Sequence, residues 1–288
     1  MSALTSVITL THNKLECTRK CLPSLLATSY KPWELIVVDN GSTDGTRAWL
    51  EEFKREAATA GVQVTVIENN GNIGCSTARN QGAAKSTGEK LVFIDNDVAL
   101  RSRNWLDVLG KHLDDDEDTG IAGPKLVYPF PPNAIQFAGG AVSRSGRIQF
   151  LGRGEPRNDP RFNSRREVQC FISACCMIRR DAFEAANGFD EAFNPVEYED
   201  IDLCYRVRSQ GHKIIYEPAV EMYHFESVTT AGTAALPNTR LIIEHGLLFQ
   251  ERWRHMFSTE NGPPDKDTQW RTVKTRELAD VSELPLIG

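Results

Sequence analysis

A chain of 288 residues holds one large domain or two small ones, at roughly 150 residues each, and buries a core without help from disulfides or metal. Its 40% hydrophobic and 25% charged residues are the composition of an ordinary soluble protein. A net charge of -6 argues against general nucleic-acid binding, which draws on basic surface, but leaves room for a local basic groove that takes phosphates.

The amino terminus, MSALTSVITL, lacks the basic stretch and long apolar core of a signal peptide, and no apolar run approaches the ~20 residues that span a bilayer. The first predicted element is a short, β-branched buried strand at 6–11 (SVITLT), ending at His12 and Asn13. Residues 16–28 follow as a helix, with Cys17, Cys21, Leu22, Leu25 and Leu26 on one face. A second strand, 35–38 (LIVV), runs into Asp39-Asn40-Gly41-Ser42, and a helix returns over 46–60. Residues 62–68 alternate as a third strand, and 75–85 form a helix after the glycine-rich turn NNGNIG. A fourth strand, 91–94 (LVFI), runs straight into Asp95-Asn96-Asp97.

Strands alternating with helices predict βαβ units in an α/β fold, a mainly parallel central sheet flanked by helices. The continuous apolar runs suit strands buried on both faces. Ligands of such sheets bind beyond the carboxyl ends of the strands, where the polar residues of this chain collect.

The second half is less regular. Residues 105–113 are a helix whose acidic run, 114–118, is a solvated end without a site. Residues 139–166, rich in Gly, Arg and Pro, read as a long loop or hairpin over the site. A strand at 171–179 precedes a helix that Asp181 caps, and a helix at 200–210 stops at Gly211. A short strand at 213–216 and an amphipathic helix at 239–257 complete the order, and a loose polar tail is expected over 258–288. The seven cysteines, odd in number and without framework spacing, read as buried thiols in a reducing cytoplasm.

Asp95 and Asp97 bracket one residue at a strand end, where their carboxylates can converge. Two like charges ~4 Å apart repel by roughly 4 kcal/mol at an effective dielectric of 20. Either one stays protonated or a cation sits between them. Oxygen ligands in an open site favour Mg2+ or Mn2+, ions that bind phosphates, so a diphosphate is the expected ligand. The competing reading is a polar turn, for which Asp and Asn are well suited.

The segment NPVEYEDIDLCYR packs acids at a helix entry, which the helix dipole alone favours. Glu199 and Asp200 together, beside an apolar-periodic helix, supply a candidate general base. Asp202 and Arg206, spaced i and i+4, read as a structural pair. His224 is a candidate third metal ligand, better suited to Mn2+ than to Mg2+, although a lone histidine is more often structural. No G-x-G-x-x-G opens a helix after the first strand, and neither a P-loop nor a G-x-S-x-G is present, which counts against dehydrogenase, P-loop NTPase and hydrolase chemistry.

Four segments, SVITLTHNKLECTRKCLPSLL, WELIVVDNGSTDGT, NIGCSTARNQGAAKSTGEKLVFIDND and GFDEAFNPVEYEDIDLCYRVRSQGHKI, together resemble the inverting glycosyltransferases of family 2. The branch they are similar to includes rhamnosyltransferase-like enzymes of polysaccharide assembly. The resemblance covers about 5–257 and implies a GT-A fold: one domain over 1–257, with a nucleotide-binding half at about 1–100 and an acceptor-binding half at about 101–257. It implies that Thr11 and Asn13 line the nucleotide pocket, that Asp39 bonds the base, and that Arg79 lies near the nucleotide. It gives Asp95 and Asp97 the ribose and the metal-bound diphosphate, with His224 completing a Mn2+ or Mg2+ site. Asp200 becomes the catalytic base, with Glu199 beside it.

The implied donor is a nucleotide-diphosphate sugar, UDP- or dTDP-linked, and the acceptor a glycan, lipid-linked or protein hydroxyl. His12 departs from the family, which more often has Tyr or Phe there. Two rivals stand beside this reading. A sugar-nucleotide pyrophosphorylase needs a Gly-rich, Arg/Lys-bearing loop after the first strand, which LTHNKLECT lacks. A non-catalytic nucleotide-sugar-binding protein of the same fold has no need of Asp95, Asp97, Asp200 and His224 together. The helix at 239–257 has mixed charge on its polar face, which favours packing on the core over a homodimer contact or a peripheral hold on the inner face of a membrane.

Overall fold

The computed structural model describes residues 3–225, 238–268, 270–273, 278–281 and 283–287. Its first half follows the expected alternation: β1 (Thr5–Thr11), α1 (Leu15–Cys21), β2 (Trp33–Asp39), α2 (Thr46–Thr59), β3 (Gln63–Glu68), α3 (Cys75–Lys85) and β4 (Lys90–Asp95). These strands are parallel, in the order β4-β1-β2-β3. The apolar strands β1, β2 and β4 are buried almost throughout, while β3, at the edge, alternates and stays half-exposed. The expected helix at 16–28 ends at Cys21 and tightens into a 3-10 turn, Leu22–Ala27, because Pro23 has no N–H for the next helical bond.

The second half adds β5 (Val98–Leu100), α4 (Trp105–Asp115), β6 (Thr119–Val127), β7 (Ile135–Phe137), β8 (Gly140–Val142), β9 (Ile148–Phe150), β10 (Arg166–Glu167), β11 (Cys175–Arg179), α5 (Arg180–Ala185), α6 (Glu199–Ser209), β12 (Lys213–His224) and α7 (Asn238–Phe257). Strand β11 runs antiparallel between β4 and β6, and β12 lies parallel to β6 on its far side. The sheet is therefore parallel where it begins and mixed where it ends. The predicted hairpin within 139–166 is found as β8–β9.

Strand β6 has no counterpart in the sequence-based expectation. Gly120, Gly123, Pro124 and Lys125 read as loop, yet all nine of its residues are buried. Gly123 answers a close approach, since a Cβ there would sit 2.2 Å from the Phe171 ring. Two boundaries also shift. Helix α5 starts at Arg180 with Arg179 as its cap, and Asp181 pairs with Arg179 at 3.0 Å from inside the first turn. The strand expected at 213–216 continues to His224, with its register slipping between Glu217 and Glu221, where Pro218 interrupts it.

Helix α7 packs one face on the core: Phe249, Trp253 and Phe257 are buried around Tyr205. Ile242, Ile243 and Leu247 remain exposed. The expected Asp202–Arg206 pair forms at 2.7 Å, and Asp202 also accepts from Arg252 and Trp253, tying α6 to α7. The tail is not loose where it is described. Glu260 is buried against Tyr205 and Arg208, and Ile287 bonds the backbone at Arg101 and Arg103. Residues 269, 274–277, 282 and 288 of that tail lie outside the described residues. No helix among the described residues is long and apolar enough to cross a membrane.

Candidate active site

Parallel register brings the strand ends together. Thr11 pairs with Asp39 and Leu10 with Asp95, so the ends of β1, β2 and β4 share one edge. The antiparallel pairing of β12 with β5 sets His224 opposite Val98, directly after Asp97, and the Phe225 N–H donates to the Asp97 carbonyl at 3.0 Å. The chain ends of β4 and β12 thus meet, although they lie more than a hundred residues apart in sequence.

The result is a three-residue cluster. Asp95, Asp97 and His224 each offer a ligand atom, all within 4.8 Å of one another. His224 Nε2 lies 3.2 Å from Asp97 Oδ1. Its Nδ1–H donates to buried Gln136 Oε1 at 2.6 Å, which orients the ring and turns Nε2 toward the carboxylates. Burial, with the charge of Asp97 added, pushes the Asp95 carboxyl up against the pull of Arg79, even though 31% of its side chain is open to the cavity.

Helix α3 delivers Arg79. Gly74, at φ 87, turns the chain into the helix, and a Cβ on Gly82 would meet Ile8 at 2.5 Å, so α3 lies close on β1. One helical turn separates Cys75 from Arg79 on the face toward the cavity. The buried guanidinium donates to Glu199 Oε1 at 2.7 Å and to Asp95 Oδ1 at 2.9 Å. Burial alone would lower its pKa, but Asp95 and Glu199 raise it.

Asp200 is different. Its Oδ2 accepts the Ser173 N–H at 3.0 Å and its Oδ1 accepts the Ile201 N–H at 2.8 Å. Burial, and then the charge of Glu199, pushes its carboxyl up to about 7. It is thus poised to exchange a proton near neutral pH. Glu199 is buried, with Oε1 on Arg79 and Oε2 without a partner.

Asp95, Asp97, His224, Arg79, Glu199 and Asp200 border one cavity of about 780 Å³, together with Thr11. Asn13 and Asp39 stand behind its wall. Asn13 Oδ1 accepts the Thr43 N–H at 2.8 Å. Asp39 is fully buried and accepts from Arg47 Nε at 2.6 Å and from the Ser42 N–H at 3.1 Å. His12 and Asn40 reach the cavity near them, joined by a 2.8 Å bond from the ring to the Asn40 carbonyl.

A model of glycosyl transferase family 2 matches residues 6–186. The chain belongs to that family. Similar proteins include the uncharacterized protein y4gI of Sinorhizobium fredii, 31% identical over 88% of this chain and 28% of that protein. The O-antigen biosynthesis protein RfbC of Myxococcus xanthus is 29% identical over 80% of this chain and 18% of that one. The chain therefore spans under a third of both. An N-acetylglucosaminyl-diphospho-decaprenol L-rhamnosyltransferase of Mycobacterium tuberculosis is 28% identical over 82% of this chain and 80% of its own.

Among solved structures, GalNAc-T7 with UDP, GalNAc and Mn2+ has a TM-score of 0.71 at 17% identity, over 89% of this chain and 50% of that one. A mannosyltransferase of Pyrobaculum calidifontis with GDP-Man and Mn2+ has a TM-score of 0.61 at 19% identity, over 92% and 67%. The fold of this family 2 chain is thus GT-A. Around this cavity, sequence reasoning missed Gln136, Arg47 and Ser173, while Asn40 was among the polar residues expected at the strand ends. Gln136, Arg47 and Ser173 each act through a hydrogen bond across strands or loops, for which the sequence carries no signal.

Proposed function

We propose that the chain is a metal-dependent, inverting glycosyltransferase that moves a sugar from a nucleotide-diphosphate donor to an acceptor hydroxyl. The observation that carries this reading is one cavity bordered by Asp95, Asp97 and His224 and by Asp200, whose carboxyl is pushed up to about 7. Two carboxylates and an imidazole fit Mn2+ and also admit Mg2+. The Mn2+ complexes of GalNAc-T7 and of the mannosyltransferase support the same choice. When bound, such an ion neutralises charge on a leaving diphosphate.

The residues of the chain then divide the work. Thr11, with His12 and Asn40, receives the nucleotide, while Asp39 and Asn13 fix the loops that shape the base pocket. Asp95 serves the ribose and the diphosphate, and Arg79 holds Asp95 and Glu199 in place. Asp200 takes the proton from the acceptor hydroxyl as that oxygen attacks the anomeric carbon from the face opposite the diphosphate. One displacement inverts the configuration, and no enzyme nucleophile is needed.

The donor is a UDP- or dTDP-sugar, a class supported by the UDP complexes among the structural neighbours. The acceptor is a glycan or glycoconjugate hydroxyl, as the names of RfbC and of the rhamnosyltransferase suggest, and the seven free cysteines favour work in a reducing cytoplasm. Calorimetry on two variants tests the division of roles. Asp97→Asn is expected to abolish metal-dependent nucleotide binding, and Asp200→Asn to keep binding and lose transfer. Equal loss of binding in both would refute the assignment.

A further inference from the structure

We infer that the acceptor side of the cavity is built to hold a sugar ring, with Glu197 accepting hydrogen bonds from neighbouring hydroxyls while Trp270 and Phe150 cover the ring's apolar face. This rests on the transferase reading and narrows its acceptor to a glycan terminus.

Glu197 is held at a cost. It sits at φ 84 and Tyr198 at φ 71, two successive non-glycine residues in the left-handed region. The His245 ring pins that conformation, with Nδ1 at 3.0 Å from the Val196 carbonyl and 3.1 Å from that of Glu197. What the strained turn presents is a carboxyl on the cavity wall, three residues before Asp200. No hydrogen bond or ion pair engages that carboxyl among the described residues. Burial, and then the charge of Glu199, pushes it up to about 7. Glu197 is half-buried and borders the cavity, so its carboxyl is available to accept from a ligand's hydroxyls.

The apolar wall of the same cavity complements it. Phe150 of β9 and Trp270 of the tail lie with ring centroids 5.3 Å apart, and both border the cavity. Trp270 is 62% exposed, an unusual state for an indole. The Arg153 guanidinium also lies 4.1 Å from the Trp270 ring centroid, and Arg153 Nε donates to the Arg271 carbonyl at 2.9 Å. The indole is thus set in place without being covered. A pyranose has one face of C–H groups and an edge of hydroxyls. The first matches an aromatic surface and the second a carboxylate with two acceptor oxygens. A lipid chain would use the rings but bury Glu197 unpaired, which disfavours it.

The test measures saturation-transfer NMR from wild type, Glu197→Gln and Trp270→Ala to three methyl glycosides: α-L-rhamnoside, α-D-mannoside and β-D-galactoside. Decyl phosphate is the lipid probe. Each sample also receives UDP, dTDP or GDP with Mn2+, and the shift in melting temperature is recorded. Wild type is expected to transfer saturation to at least one glycoside. Both variants should bind that glycoside about tenfold more weakly, the size of one lost charge-assisted hydrogen bond or stacked ring. The nucleotide shift should persist in both, which also shows that they fold. Glycoside binding unchanged in both variants, a response to decyl phosphate alone, or no glycoside response beside an intact nucleotide shift would each overturn the inference while sparing the transferase reading. Loss of the nucleotide shift in wild type would instead overturn the reading beneath it.

Discussion

Arg79 places its guanidinium on two carboxylates, Asp95 at 2.9 Å and Glu199 at 2.7 Å, so Asp200 is left with the backbone N–H groups of Ser173 and Ile201 and the Ser173 hydroxyl at 3.5 Å. That division separates the two neighbouring acids: Glu199 is held by Arg79, and Asp200 is the proposed proton acceptor. Arg79→Met leaves a buried charge on each side unpaired. A loss of about 3–5 kcal/mol is expected in chemical denaturation, the range for breaking a buried pair. A variant as stable as wild type would show that the pairs do not hold the site.

Asp200 also sets a pH signature. Its carboxyl, ordinarily near 3.8, is raised to about 7 in the folded chain. Between those values the folded state binds more protons than the unfolded one, so this group lowers stability as pH rises from about 4 to about 7, and the penalty is constant above. Asp200→Asn removes the penalty. Its melting temperature relative to wild type should climb over that window and level off above pH 7. As the base, ionised Asp200 should make the wild-type transfer rate rise with pH and level off near the same value. A rate that falls as pH rises through 7 would contradict the base assignment.

At the scale of elements, the half of the fold built from regular βαβ units was legible, because β1, β2 and β4 are unbroken apolar runs that end in polar residues. Asp95 and Asp97 could be found for the same reason. Strand β6 could not, since its Gly, Pro and Lys are residues that usually mark a loop, although crowded neighbours require Gly120 and Gly123. The length of β12 was hidden by Pro218, and with it the reason His224 faces Asp97. The tail misled for a different cause. Its composition is polar, yet Glu260 accepts from Tyr205 at 2.6 Å and Arg208 at 2.7 Å inside the core. Glu260→Ala strands these two donors and the Gln169 amide that also bonds it, and a loss of about 1–3 kcal/mol is expected by thermal melting. An unchanged melt would mean that the tail is only laid on the surface.

For the whole molecule, a parallel sheet supplies one wall of the cavity, β12, which runs parallel to β6 beyond the antiparallel β11, supplies His224, and α6 supplies Asp200. The resemblance to family 2 transferases had anticipated that order of segments, but not the hydrogen bonds that hold them, such as Gln136 on His224. The account stands or falls on whether the cluster at Asp95, Asp97 and His224 grips a cation that grips a nucleotide. A thermal-shift screen of UDP, dTDP, GDP and CMP, each with and without Mn2+, asks this directly. A ligand at 100 times its Kd stabilises by about 2.7 kcal/mol, a shift easily read. One diphosphate is expected to raise the melting temperature only when Mn2+ is present, and to fail to do so in Asp97→Asn. A shift of equal size without the metal, or none from any nucleotide, would contradict the account.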